Sequence, residues 1–156
     1  MTERVVSFRP FEPSEIASFL AVQRASYLDE LERSGMSRKE AQANLDRNEA
    51  RMFEGGVPAE GQHFGHVVVD GDEVGVLWLG LAGEEPDRWH VYDVEIDEEK
   101  RGRGFGRLAM LLAESFAREG GAATLGLNVF AFNKVARSLY QSLGYEESAI
   151  QMRKAL

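Results

Sequence analysis

Residues 89–116 read WHVYDVEIDEEKRGRGFGRLAMLLAESF. Trp89 to Ile96 is rich in aromatic and β-branched residues, the composition of a strand. Arg101-Gly102-Arg103-Gly104-Phe105-Gly106 follows as a glycine-rich turn. Phe105, Leu108, Ala109, Leu112 and Phe116 then fall at i, i+3, i+4, i+7 and i+11, the stripe of an amphipathic helix. Glycines let the loop backbone turn tightly with its N–H groups open to approach. They precede a helix N-terminus, where partial positive charge collects. Strand, turn and helix start together form a seat for a phosphate or pyrophosphate, and Arg101, Arg103 and Arg107 add full charges. The plainer alternative is a strand-to-helix turn with solvated arginines.

Downstream, Gly120-Gly121 ends the helix and Leu125 to Val129 reads as a strand. Ala136, Leu139, Tyr140 and Leu143 line a further helix closed by Gly144, and Ser148 to Lys154 reads as a final strand. Upstream, His63 to Val69 and Glu73 to Leu81 are strands joined by the hairpin signal Asp70-Gly71-Asp72. Nearer the start, Val5 to Arg9 is a short strand ended by Pro10, and Pro13 opens a helix. Ser37 and Glu40 form the capping box of another, with Met36 placed to pack on Ala41. That helix carries Ala41, Leu45 and Met52 and stops at Gly55-Gly56. The order β-αα-ββ-β-α-β-α-β is a mixed α/β sheet covered by helices. No linker divides the chain, so residues 1–156 are expected to form one domain.

A chain of 156 residues buries roughly 70% of its unfolded surface and needs no staples. The absence of cysteine excludes a disulfide scaffold, thiolate zinc and a Cys nucleophile, and suits a cytoplasmic setting. No apolar run approaches the roughly 18 residues of a membrane span, so no membrane partner is expected. The net charge of −8 argues against nucleic-acid binding. The charge is uneven. Residues 1–100 carry ten Lys and Arg against 22 Asp and Glu, net −12, whereas residues 101–156 carry eight against four, net +4. This split predicts a site with a cation side and an anion side. His63 and His66 fall on opposite strand faces, so no metal is expected.

A dinucleotide fingerprint needs Gly-x-Gly-x-x-Gly and an acid about 20 residues on. Here Arg107 holds the third glycine's place, and the next strand ends at Asn128 without an acid. A Walker A loop needs Gly-Lys-Ser/Thr, which is absent.

Arg101-x-x-Gly104-x-Gly106 resembles the Arg/Gln-x-x-Gly-x-Gly/Ala acetyl-CoA motif of GNAT-type N-acetyltransferases. Leu127-Asn128-Val129-Phe130 with Asn133, Ala136, Leu139-Tyr140 and Leu143-Gly144-Tyr145 resembles that family's downstream motif. The resemblance is specific over about residues 88–146 and departs at Glu98, where relatives often carry proline. It implies a mixed, mostly antiparallel sheet with a central splay between two parallel strands and helices on both faces. It further implies acetyl-CoA as co-substrate and an N-acetyltransferase that works by direct attack in a ternary complex. A non-catalytic acyl-CoA sensor on the same fold is the alternative.

Carried over residue by residue, the resemblance gives the pyrophosphate to Arg101, Gly102, Arg103, Gly104, Phe105 and Gly106. The pantetheine arm falls to the strand edge at Val94 and Ile96, where the Val94 N–H polarises the thioester carbonyl. Asn133 joins the cofactor residues, although an N-cap accounts for it equally well. Tyr140 protonates the leaving thiolate; a core aromatic is the other reading. For the base, relatives use positions matching His90 and Asn128, and an imidazole titrates near neutrality. Strict alternation places His90 on one strand face with Tyr92, Val94 and Ile96, and puts Asp93 and Glu95 on the other. Glu95 is carried as a third catalytic candidate with Tyr140 and His90, within a carboxylate field that attracts cations. The acceptor is therefore expected to be a cationic amine, and a homodimer is compatible with the sequence.

Overall fold

A computed structural model describes residues 2–55 and 57–156. The chain begins with strand β1 (Val6–Pro10), then helices α1 (Pro13–Arg33) and α2 (Arg38–Met52). Glu12 and Glu15 form a capping box at the start of α1, with Pro13 at its first position. The Ser37 hydroxyl accepts from the Glu40 N–H while the Glu40 carboxylate accepts from the Ser37 N–H, so the expected box at α2 is formed. Met36 packs on the cluster that includes Ala41. α2 stops earlier than its glycines suggest. Phe53–Glu54 (β2) pairs with Val57–Pro58 (β3) in a two-residue ladder whose tip holds Gly55; Gly56 lies outside the described residues.

Strands β4 (Gln62–Val69) and β5 (Asp72–Leu81) form the expected hairpin. Asp70 and Gly71 have φ of 52° and 89°, both positive as a two-residue primed turn demands. β6 (Arg88–Ile96), a single 3-10 turn at Glu98–Lys100, α3 (Phe105–Glu119), β7 (Thr124–Leu127) and α4 (Lys134–Ser142) follow. Asn133 caps α4, accepting from the Ala136 N–H at 3.3 Å. The strand expected at Ser148 to Lys154 is not formed. Residues 146–156 are exposed and carry no ladder, because alternation alone makes no strand unless the backbone comes to lie along a sheet edge.

The main sheet runs β1-β4-β5-β6-β7. Its neighbours are antiparallel except β6 and β7, which are parallel. That pair holds only from Arg88/Thr124 to Val91/Leu127, and β6 continues to Ile96 without β7 beside it. The splay therefore opens after Val91.

A bulge lies at the same point. Trp78 pairs with Asp93 but Leu79 with Val91, so Tyr92 is an extra residue. One extra residue moves the alternation by one. Trp89 and Val91 before it, and Val94 and Ile96 after it, all pack in the core beneath α3. Tyr92 stacks on Trp78 at 5.0 Å on the α1 face. Asp93 and Glu95 face α1 as well. The expected grouping of His90 and Tyr92 with Val94 and Ile96 is thus corrected.

The sheet has a core on each face. Leu77, Leu79, Met110, Val67 and Val74 are fully buried, and they lie with Ala109, Ala113 and Ala117 under α3. Each fully buried Leu, Val or Met contributes about 1.5–3 kcal/mol. On the other face Phe64, Trp78 and Met52 pack with Phe11, Phe19 and Tyr92 beneath α1 and α2. His63 stacks on Trp89 at 5.5 Å on the first face, while His66 meets Glu15 on the second, so the two histidines do lie on opposite faces.

Candidate active site

The loop from Arg101 to the start of α3 is held by its own side chains. Arg101 Nε donates to the Ile96 carbonyl at 2.9 Å, and its NH2 group lies 3.3 Å from the Glu95 carboxylate. Arg103 donates to the Glu99 carbonyl at 3.4 Å. Gly102 and Gly104 have φ of 75° and 82°, a conformation that side chains resist. A Cβ at Gly104 would meet nothing within 4 Å, so the glycine answers to backbone conformation and to approach from outside, not to packing. Among the described residues, no backbone acceptor meets the N–H groups from Gly102 to Arg107. These open donors crown the N-terminus of a 15-residue helix. Arg4, not singled out in the sequence, stacks over Phe105 at 5.0 Å and so ties the N-terminal segment to this loop.

Beside the loop lies the splay. Val94 and Ile96 belong to the part of β6 that lacks a β7 partner, while their side chains pack into the α3 core. Across the gap, Tyr140 on α4 packs on the same core and meets the Tyr145 ring edge-on at 6.0 Å. Burial raises the Tyr140 phenol above its ordinary pKa, and the charge of Asp93 raises it further. The phenol therefore keeps its proton at neutral pH.

Asp93 is the residue that sequence reasoning passes over. Burial first, then the charges of Glu95 and Glu30, push its carboxyl up to about 7, while the Val94 N–H pulls the other way. It lines a cleft of about 590 Å³ between α1 and the sheet. Phe11, Phe19, Val22 and Val76 give the cleft apolar walls, and Glu15, Asp93 and Glu95 give it charge. Glu15 is held down to about 2, first by the Glu12 N–H and then by His66 and Arg9. Glu30 is raised, mainly by burial and then by Glu95. The only sequence signal for Asp93 is a carboxylate, one of two with Glu95, among the aromatic and β-branched residues of β6. The bulge that turns it toward the cleft has no local signature.

The other candidates divide. Glu95 lines the cleft but is exposed and paired with Arg101. His90 lies in the doubly paired part of β6, opposite Gly126, with its ring 4.8 Å from Tyr92. Burial, and then Arg88, depress its pKa, so it is neutral near pH 7. Among the described residues no group of three or more His, Asp or Glu could hold a metal ion, and no helix is long and apolar enough to cross a membrane.

Known proteins resemble this chain. It is 35% identical over 120 residues, 76% of each chain, to the uncharacterized N-acetyltransferase YdgE of Bacillus subtilis. The crystal structure of the putative acetyltransferase YycN of Bacillus subtilis superposes with a TM-score of 0.86 at 28% identity, covering 97% of this chain and 99% of that one. A mycothiol acetyltransferase of Rhodococcus erythropolis is 29% identical over 147 residues, 92% of this chain and 47% of its own. The family model described as "Acetyltransferase (GNAT) family" matches residues 22–145, from the middle of α1 past the end of α4. The chain belongs to the acetyltransferase (GNAT) family.

Proposed function

We propose that this protein transfers the acetyl group of acetyl-CoA to the primary amine of a small, positively charged acceptor, by direct attack with both substrates bound. The observation that carries the reading is a juxtaposition at the splay. Open N–H groups at the α3 N-terminus lie beside an unpaired stretch of β6, and a half-buried acid and phenol lie beside a carboxylate-lined cleft.

Acetyl-CoA supplies the activated acetyl thioester. The amides of Gly102 to Gly106, with Arg101 and Arg103, hold its pyrophosphate. The backbone at Val94 and Ile96 takes the pantetheine amides as an added strand, and the Val94 N–H polarises the carbonyl. Asn133, already capping α4, offers its remaining amide hydrogens on the cofactor side.

The cleft carboxylates draw in an ammonium group. Asp93, with a pKa of about 7, takes its proton near neutral pH. Tyr140, raised and therefore protonated, returns a proton to the departing thiolate. Glu95 steers the cation. His90 positions the Tyr92 ring from the paired side of the bulge. The relative named for mycothiol supports a small-molecule acceptor.

The test is CoA release across matched pairs of cationic and neutral primary amines, read with increasing salt. Turnover is expected with cationic amines, with a KM that rises with salt above about 0.1 M for them alone. Tight CoA binding with no turnover on any amine would leave a binding module in place of an enzyme.

A further inference from the structure

The glycine loop is tied to a part of the chain far from it in sequence. The residue before β1 is held twice by the turn between β4 and β5. The Asp70 carboxylate accepts from the Val5 N–H at 2.9 Å, and the Asp70 N–H donates to the Val5 carbonyl at 2.8 Å. Two bonds to one residue fix the direction in which residue 4 leaves the sheet, and that direction is over the start of α3. The Arg4 guanidinium lies over the Phe105 ring, 5.0 Å from its centre, and its NH1 group donates to the Arg103 carbonyl at 3.5 Å. Phe105 packs on the α3 core, so its ring is a fixed platform for the cation.

The Arg103 carbonyl shares a peptide unit with the Gly104 N–H. A trans peptide is planar, so its carbonyl and its N–H point opposite ways, and whatever orients one orients the other. Among the described residues no backbone N–H donates to the Arg103 carbonyl. The Arg103 side chain bonds back to Glu99, but the peptide itself lies between Gly102 and Gly104, whose backbones turn freely. Arg4 supplies the hold from outside the loop, and its bond strengthens the N–H on the other side of the peptide as a donor. The upstream part of the loop is anchored differently. The Asp97 N–H donates to the Val74 carbonyl at 2.9 Å and Lys100 donates to the Glu73 carbonyl, contacts that stop short of the glycines.

We propose that Arg4 is a positioning residue of the phosphate seat: it sets the Arg103–Gly104 peptide so that the Gly104 N–H faces the pyrophosphate before the cofactor arrives. This rests on the reading that the loop amides hold the pyrophosphate. Without Arg4 the peptide is ordered at the expense of binding. In Arg4→Met, CoA affinity in calorimetry should fall about three- to tenfold, and KM for acetyl-CoA should rise alike with kcat unchanged. Arg4→Lys keeps the charge but not the planar fork that stacks and donates together, so it should fall as Arg4→Met does. Pantetheine, which has no pyrophosphate, should bind all three chains alike. Arg4 is exposed, and urea unfolding should show both variants folded. Full affinity in Arg4→Met, full affinity in Arg4→Lys, or an equal loss for pantetheine would each overturn the positioning role. Gly104→Val separates this role from the reading beneath it. If Gly104→Val loses CoA and Arg4→Met does not, the Arg4 inference alone falls. If Gly104→Val keeps CoA, the reading of the loop falls and the inference with it.

Discussion

The two sides of the splay are built by different means. On the cofactor side, the Arg101–Gly106 loop is made by neighbours in sequence: two glycines at positive φ, two arginines bonded to carbonyls five and four residues back, and a helix start. On the acceptor side, the cleft is made by residues far apart: Phe11, Glu15 and Phe19 from the first helix region, His66 from β4, Val76 from β5 and Asp93 from β6. The first side can be read from a few residues. The second exists only once the sheet has formed and the bulge at Tyr92 has turned Asp93 toward α1. Under the proposed function, specificity for the amine therefore rests on tertiary packing, and seating of the phosphates rests on local sequence.

The comparison breaks first at the residue between the two sides. Tyr140→Phe removes the proposed proton donor and keeps the ring. CoA binding should persist in calorimetry while kcat falls by roughly 10²–10⁴-fold, the usual range for a general acid. A full-rate variant would reduce Tyr140 to packing on the α3 core and Tyr145.

Asp93→Asn probes the acceptor side through stability. The folded carboxyl keeps its proton to about 7, against an ordinary value of 3.8. Between those values the unfolded chain has released a proton that the folded chain still holds. Stability is therefore highest at low pH by this effect and falls as pH rises from about 4 to 7. A tenfold difference in proton affinity between the folded and unfolded chain is worth about 1.4 kcal/mol, so the fall amounts to a few kcal/mol. Urea unfolding at several pH values should show this decline in the unaltered chain and its loss in Asp93→Asn. An unchanged slope would mean that Asp93 is solvated.

The smallest effect is expected on the cofactor side. Gly104→Val meets open space in the folded chain but strains a backbone at φ 82° by about 1–2 kcal/mol and puts a branched side chain where the proposed site takes a phosphate. CoA affinity should fall about tenfold or more with the fold retained. Undiminished affinity would remove the loop from the cofactor site.

The same contrast explains what could be read in advance. The strand–glycine–helix unit, the Ser37 and Asn133 caps and the Asp70-Gly71 turn follow from side chains acting within a few residues. So does the order of the core elements. The bulge does not, because it is a mismatch between β5 and β6 and belongs to neither strand alone. Counting by twos from His90 to Ile96 therefore separates the carboxylates from Tyr92 and joins His90 and Tyr92 to Val94 and Ile96. The unformed strand at Ser148 to Lys154 has a similar cause. Its alternation is local, but a ladder depends on where the folded chain carries the segment, and it bonds to neither edge of the sheet.

The pH dependence of turnover with one cationic amine, compared among the unaltered chain, Asp93→Asn and His90→Gln, tests the role of Asp93 as base most directly. The rate in the unaltered chain should rise with pH through about 7, because Asp93 must lose its proton to act. His90→Gln should keep that limb, and Asp93→Asn should lose it. A limb that vanishes with His90 and survives the loss of Asp93 would contradict this assignment of the base.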